Sequence, residues 1–289
     1  MAENDAAVGF LYGTPAGRTL LKIILRSHTD RLMAGFLRSS LSRPVIKGYA
    51  KKHGIRTDRE ELSSFRSFRD FFIRSRIPAA VDKTPAHLTS PCDAYLSVFP
   101  IDEDSCFSIK RSYYRVGDLL ASDGKDSASE DSASGDALNP AARFIGGACM
   151  ILRLTASDYH HYSYIDNGTQ GPNHFIEGTL HSVQPIACET FPVYTLNRRS
   201  WCLMETENFG TVAQAEIGAL VIGGIVNLKE NAGFVRGEEK GYFEPAGSSI
   251  VLLFEKDRIC LRPELEKALK KTSEVRVRQG MWIGSRCES

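Results

Sequence analysis

Residues 245–254 read PAGSSIVLLF, a glycine and two serines at the head of an apolar run. A serine hydroxyl that follows a glycine can attack that glycine's carbonyl, because a backbone without a Cβ distorts freely. This N→O acyl shift puts an ester in place of the peptide bond. It needs a base for the hydroxyl proton and donors for the oxyanion. β-Elimination can then release the upstream chain, and hydrolysis of the dehydroalanine left behind gives a pyruvoyl group at the new N-terminus. Gly247 and Ser248 are the residues placed for this chemistry. The plainer reading of Ala246-Gly247-Ser248-Ser249 is a flexible turn ahead of a strand from Ile250 to Phe254.

Two other stretches carry groups that such a reaction would use. In TSPCDAY, residues 89–95, Asp93 sits in a turn just before a strand. In DYHHYSYIDNG, residues 158–168, His160 and His161 stand side by side among tyrosines. Neighbouring side chains on a strand point to opposite faces, so only one of the two histidines can face a given pocket. A histidine titrates near neutral pH and can take or give a proton there. Taken singly, these are also a turn-forming aspartate and an aromatic strand end. No second ligand pair stands at a recognised spacing, so no metal site is expected.

The elements that must position these groups change character along the chain. In residues 17–50, Leu20, Leu21, Ile24 and Leu25, then Leu32, Met33, Phe36 and Leu37, recur at helical spacing with Arg18, Lys22, Arg26, Arg31 and Arg38 between them. Pro44 separates a third piece, VIKGYAKKHG. Basic amphipathic helices suit either an anionic lipid surface or the protein's own core. The spacing of Phe65, Phe68, Phe71 and Phe72 predicts one core-anchoring helix over 63–77. From residue 88 the segments YLSVFPI, FIGGACMILRLT, GTLHSVQPIA, SWCLMETENFG, TVAQAEIGALVIGGIV and SSIVLLFEKDRICLR are short, β-rich and broken by Gly, Pro and Asn. Helical pattern returns only at PELEKALKK. The expected fold class is α+β, with N-terminal amphipathic helices over residues 1–80 and a mostly antiparallel β-domain over 81–289. Residues 121–140 are rich in Ser, Ala and Asp and read as a disordered surface insertion.

Composition narrows the class. The 289 residues carry 36 Lys and Arg against 35 Asp and Glu, a net charge of +1. No global field therefore favours nucleic acid. Seven cysteines without a C-x-x-C pair argue against a zinc ribbon and suggest reduced thiols in a cytosolic-type compartment. The acidic start MAENDAAVGF lacks a signal-peptide pattern, and no apolar run approaches the ~20 residues that span a bilayer. Attachment to a membrane surface remains open.

The order of these stretches resembles the phosphatidylserine decarboxylase family. FRDFFIRSRIPAAVD is similar to that family's FFxRxLKPxARP, SPCDAYLSVF to its SPxDGxV, and DYHHYSYIDNG to its DYHRxHxPxxG. HSVQPIA, NRRSWCLMETENFGTVAQAEIGALVIGGI and EEKGYFEPAGSSIVLLFEK follow its SVxP, NERxxxxxxTxxGxxxxxxVGAxxVGxI and KGxExGxFxxGSTxxxLF in the same order. The likeness is collinear over residues 60–260.

The resemblance implies self-cleavage between Gly247 and Ser248, giving a β chain 1–247 and an α chain 248–289 that begins with a pyruvoyl group from Ser248. It implies Asp93 as the aspartate of an Asp-His-Ser relay, with Ala94 where the family has glycine, and Ser249 where it has threonine. His160 matches the first family histidine, associated with decarboxylation. The second, usually the relay base, falls on Ser163, which cannot be that base at neutral pH. His160, the nearest match, His161 or His181 then takes the proton, or cleavage is slow or absent. The implied activity converts phosphatidylserine to phosphatidylethanolamine through a Schiff base on the pyruvoyl ketone, with no metal and no pyridoxal phosphate. The implied setting is a peripheral membrane enzyme held by its N-terminal helices, often dimeric in the family, with no nucleic-acid partner. Two other readings stay open: a non-cleaving lipid-binding module, which Ser163 favours, and a pyruvoyl decarboxylase of a soluble amino acid.

Overall fold

The computed structural model describes residues 6–26, 29–55, 58–76, 80–109, 112–121 and 140–287. The insertion expected at 121–140 lies outside the described residues except for its two end positions. The described chain is α+β, as expected, with helices first and a mostly antiparallel β body after them.

Six helices lead: α1 (Ala6–Gly13), α2 (Pro15–Arg26), α3 (Thr29–Arg38), α4 (Arg43–Lys52), α5 (Arg59–Ser64) and α6 (Phe68–Phe72). Proline near the start of α4 is suited to a first helical turn, where its missing N–H has no partner to lose. Asp30 in the first turn of α3 and Arg38 in its last complement the helix dipole. The single helix expected over 63–77 is instead two short ones. Phe65 is extended (ψ 132°), and the Ser67 hydroxyl accepts from Asp70 N at 3.2 Å, starting α6 afresh. Phe68, Phe71 and Phe72 are buried, with Leu37, Ile46 and Ala50, in a small core beneath α3 and α4.

The body is a nine-stranded antiparallel sheet. We label the strands that build the site β1 (Ala94–Pro100), β2 (Ala148–Leu154), β3 (His161–Ser163), β4 (Arg199–Thr206), β5 (Gly210–Val221), β6 (Glu239–Phe243), β7 (Ala246–Phe254) and β8 (Val275–Val277). Across the sheet, β4, β5, β7, β2, β1 and β8 are successive neighbours. Strands β3 and β6 pair in a separate three-stranded sheet.

Strand β7 is central, and both of its faces are covered. Ile250, Leu252 and Phe254 enter one core with Leu96, Met150, Leu152, Leu154, Tyr162 and Phe243. Val251 and Leu253 enter the other with Ile151, Ile217, Ala219 and Val183. That double burial explains the unbroken aliphatic run of its sequence, each such side chain contributing about 2 kcal/mol. Residues Val8, Leu11, Tyr12 and Leu21 of the first two helices belong to the second core, so α1 and α2 pack directly on the sheet.

Three local expectations are corrected. Ala246–Ser249 is not a turn, because β7 begins at Ala246. GTLHSVQPIA contains no strand: Thr179 makes one bridge to Asn197, and Pro185 opens a helix, Pro185–Thr190. The cysteines are not all free, since Cys260 and Cys287 form a disulfide with Cα atoms 5.3 Å apart.

Candidate active site

Ser248 lies within β7, opposite Gly218 on β5 and Leu154 on β2. The ladder is interrupted immediately upstream. Strand β2 ends at Leu154, and the β5 register shifts between Gly218 and Val221, so Gly247 sits beside a bulge. The Gly247 carbonyl therefore stands where regular pairing has ended on one side and is broken on the other, as a distortable peptide requires. A Cβ at Gly247 would only touch Ala219 and Val183 at 3.6 Å, so close packing is not what calls for glycine here. Ser248 is fully buried, and its hydroxyl has no hydrogen-bond partner among the described residues. A buried hydroxyl without a partner costs about 1–3 kcal/mol, so it is an unusual group for a strand core to keep.

Alternation along β7 sends Ser248 to the face of Ile250 and Leu252, and Ser249 to the face of Val251. His160 is joined to the first of these faces. Its carbonyl accepts from Phe243 N at 3.0 Å, and Phe243 ends β6, just before β7. The His160 ring is fully buried against Phe72, ring centroids 4.4 Å apart. Its Nδ1 lies 2.9 Å from the Asp158 carbonyl, which can only accept, so Nδ1 carries the proton. Nε2 is left with a free lone pair and no partner among the described residues. Burial pushes the imidazole down to about 4, against the upward pull of Asp158, so at neutral pH the ring is neutral with its Nε2 lone pair unprotonated. No hydrogen bond joins His160 to Ser248 in this state.

The other two histidines are engaged elsewhere. His161 places Nδ1 2.6 Å from Glu239 Oε1 and Nε2 3.0 Å from the Ile73 carbonyl. Both nitrogens are occupied by these oxygens, so neither is turned to a serine. As expected of neighbours, His160 and His161 diverge. His181 hydrogen-bonds the Tyr12 hydroxyl at 3.2 Å and stacks on Phe191, in the core that Ser249 faces rather than Ser248. Burial lowers its pKa.

Asp93 stands in the expected bend before β1, but its carboxylate is already committed. Arg76 Nη1 donates to it at 2.6 Å, and Gln279 N at 2.9 Å. Burial acts to raise its pKa, but Arg76 and the Gln279 N–H outweigh it and hold the carboxyl below its usual range. Ser163 lies beside the same bend, its N–H donating to the Pro91 carbonyl at 2.9 Å and its hydroxyl at 3.3 Å. No histidine hydrogen-bonds Asp93 among the described residues.

Sequence reasoning passed over several groups around the site. Lys240 on β6 is fully buried, with Nζ 2.8 Å from Glu216 and 2.8 Å from Asn227. Gln214 and Glu216 alternate within the apolar stretch 212–221 of β5, a period-two polar signal. Glu244 receives Arg38 and Arg69, each at 2.9 Å, tying α3 and α6 to the segment three residues before Gly247.

The phosphatidylserine decarboxylase family model matches residues 68–285. The phosphatidylserine decarboxylase proenzyme 2 of Clostridium acetobutylicum is 36% identical over 284 residues, covering 97% of this chain and 92% of that protein. The phosphatidylserine decarboxylase proenzyme of Clostridium perfringens, strain ATCC 13124, is 31% identical over 287 residues, covering 96% and 92%. That of Clostridium kluyveri is 32% identical over 281 residues, covering 94% and 90%. Matched along nearly its whole length, this chain belongs to the phosphatidylserine decarboxylase family.

Proposed function

We propose that the chain is a pyruvoyl-dependent phosphatidylserine decarboxylase that cleaves itself between Gly247 and Ser248. The observation that carries this reading is the Ser248 hydroxyl, buried and unpartnered beside the break in the β ladder. His160 is the base: its Nε2 lone pair takes the proton as Ser248 Oγ closes on the Gly247 carbonyl carbon. The C–N bond breaks, and the amine receives the proton. Loss of the Ser248 α-proton then expels Gly247 as a carboxylate. Water completes the change, releasing ammonia and leaving the pyruvoyl group on the α chain, 248–289.

The fold supports both products. Ser248–Phe254 is paired on both sides, to β5 and β2, so the α chain stays seated after cleavage. Cys260 and Cys287 both fall within it. The pyruvoyl ketone supplies an electrophile for the amine of phosphatidylserine and a sink for the electrons left by carbon dioxide. His160 Nε2 takes the proton that the substrate ammonium gives up before condensing, returns it to the substrate carbon once carbon dioxide has left, and its burial against Phe72 excludes water. Asp93 holds Arg76 and the bend at 91–93 rather than polarising a histidine.

Residues 1–80 are assigned to membrane attachment and 81–289 to catalysis. Leu32 of α3 and Leu41 beyond it are 78% and 77% exposed, and Leu20, Ile23, Met33, Phe36 and Val45 are exposed with them. Apolar side chains presented by short basic helices suit an anionic bilayer surface. No helix among the described residues is long and apolar enough to cross a membrane. The substrate is accordingly the lipid rather than a soluble amino acid. The deciding assay supplies vesicles of phosphatidylserine in phosphatidylcholine and measures phosphatidylethanolamine and carbon dioxide. Equal release of both, absent in Ser248→Ala, is expected; turnover of free serine instead would contradict the lipid assignment.

A second reading, a lipid-binding member that does not cleave, draws on two observations. Ser163 occupies the place of the relay histidine, and Asp93 is held by Arg76. An uncut chain that binds the same vesicles without releasing carbon dioxide would support it.

A further inference from the structure

Three arginines converge on the loop that carries His160, and only two are matched by carboxylates. Arg276 pairs with Asp158, and Arg76 with Asp93. Arg74, between α6 and this loop, has no ion-pair partner among the described residues. It donates to the Phe71 carbonyl at 3.0 Å and lies 4.8 Å over the Phe71 ring. The carboxylate that acts on it is that of exposed Glu61. Phe72 packs on the His160 ring at 4.4 Å and the Ile73 carbonyl lies 3.0 Å from His161 Nε2, so the chain runs along the His160 loop as it reaches Arg74, whose charge also acts on Tyr49, Tyr159 and His160. Arg74 is half-buried, and burial pushes its pKa below the ordinary value. Its neighbour adds a second unmet donor: Arg76 sits 4.3 Å over Tyr159, and its Nε is buried with no acceptor. A half-buried cation with only a carbonyl to meet is a place where an anion is missing.

We propose that Arg74, with Arg76 Nε beside it, binds the phosphodiester of the lipid headgroup. This rests on the proposed activity and names a subsite for it. The ligand carries two anionic groups, and physical chemistry separates them. A guanidinium on the carboxylate would stabilise the charge that decarboxylation must remove, favouring the ground state over the transition state. A guanidinium on the phosphate holds the lipid without that cost. The position also fits: Tyr49 comes from α4, one of the helices that expose Val45 and, just before it, Leu41. The arginine thus stands between the lipid-facing helices and His160.

The test uses the Ser248→Ala chain, which binds without turnover, and titrates it with glycerophosphoserine and with free serine. Because charge-assisted bonds are strong, Arg74→Gln is expected to weaken glycerophosphoserine about tenfold or more and leave serine unchanged. Arg74→Lys, which keeps the charge and the stem, is expected to lose less. Equal loss for both ligands, equal loss in both variants, no loss in Arg74→Gln, or no binding of glycerophosphoserine by the Ser248→Ala chain with Arg74 intact overturns the proposal. Arg74-dependent binding in a chain whose parent releases no carbon dioxide would leave the subsite standing and count against the decarboxylase reading alone.

Discussion

Ser248 and Ser249 are adjacent, equally buried, and on opposite faces of the central strand. Each hydroxyl lacks a partner among the described residues, yet only Ser248 shares a face with the core that His160 borders. Ser248→Ala is therefore expected to abolish processing. Ser249→Ala is expected to leave it intact and to change stability by less than about 1 kcal/mol, since it removes an unsatisfied hydroxyl. Gel analysis of both variants checks this, and loss of processing in Ser249→Ala alone would move the nucleophile.

The three histidines separate by what their nitrogens touch. His160→Ala is expected to slow processing by about 100-fold or more, the usual span for a lost general base. His161→Ala removes contacts to Glu239, Ile73, Tyr159 and Tyr242, and His181→Ala contacts to Tyr12 and Phe191, none of them to Ser248, so both are expected to process within about tenfold of the parent. Ser163→Ala, which loses only a long bond to Pro91, is expected to process normally. Timed conversion of freshly made chain measures all four.

What the sequence announces and what it hides follow one physical line. The apolar run of β7 and the divergence of His160 from His161 are local patterns, and both are legible. The start of β7 is not, because pairing with Gly218 and Leu154 extends it through Gly247. The Arg76–Asp93 pair and the Cys260–Cys287 disulfide are contacts across 17 and 27 positions with no spacing rule to flag them. GTLHSVQPIA is short and broken like the strand segments around it, but Pro185 suits a first helical turn better than a ladder.

Acid should expose His160 in the stability of the fold. Its folded value is about 4 against an ordinary 6.5, so the unfolded chain takes up a proton that the folded chain refuses. Its stabilising share is complete above about pH 6.5 and is lost as the pH falls toward 4, by about 3 kcal/mol. Denaturant melts of the parent and of His160→Gln across this range should diverge in slope. Parallel curves would show that the ring is not buried neutral. For the same reason processing should persist at pH 5.5, where an ordinary histidine is mostly protonated.

Lys240 and Glu216 form a fully buried ion pair on the strands that flank the site. Lys240→Met strands the Glu216 carboxylate and is expected to cost about 3–5 kcal/mol, whereas Lys240→Met with Glu216→Leu recovers most of it. A single variant that unfolds at the parent's denaturant midpoint would contradict this.

The most direct test of the account is the intact mass of the purified chain. Two species in equal amounts are expected, residues 1–247 and residues 248–289. The smaller should lack a free amine, retain the Cys260–Cys287 bond and carry the pyruvoyl mass at position 248. A single 32.0 kDa chain with an ordinary serine at position 248 would contradict it.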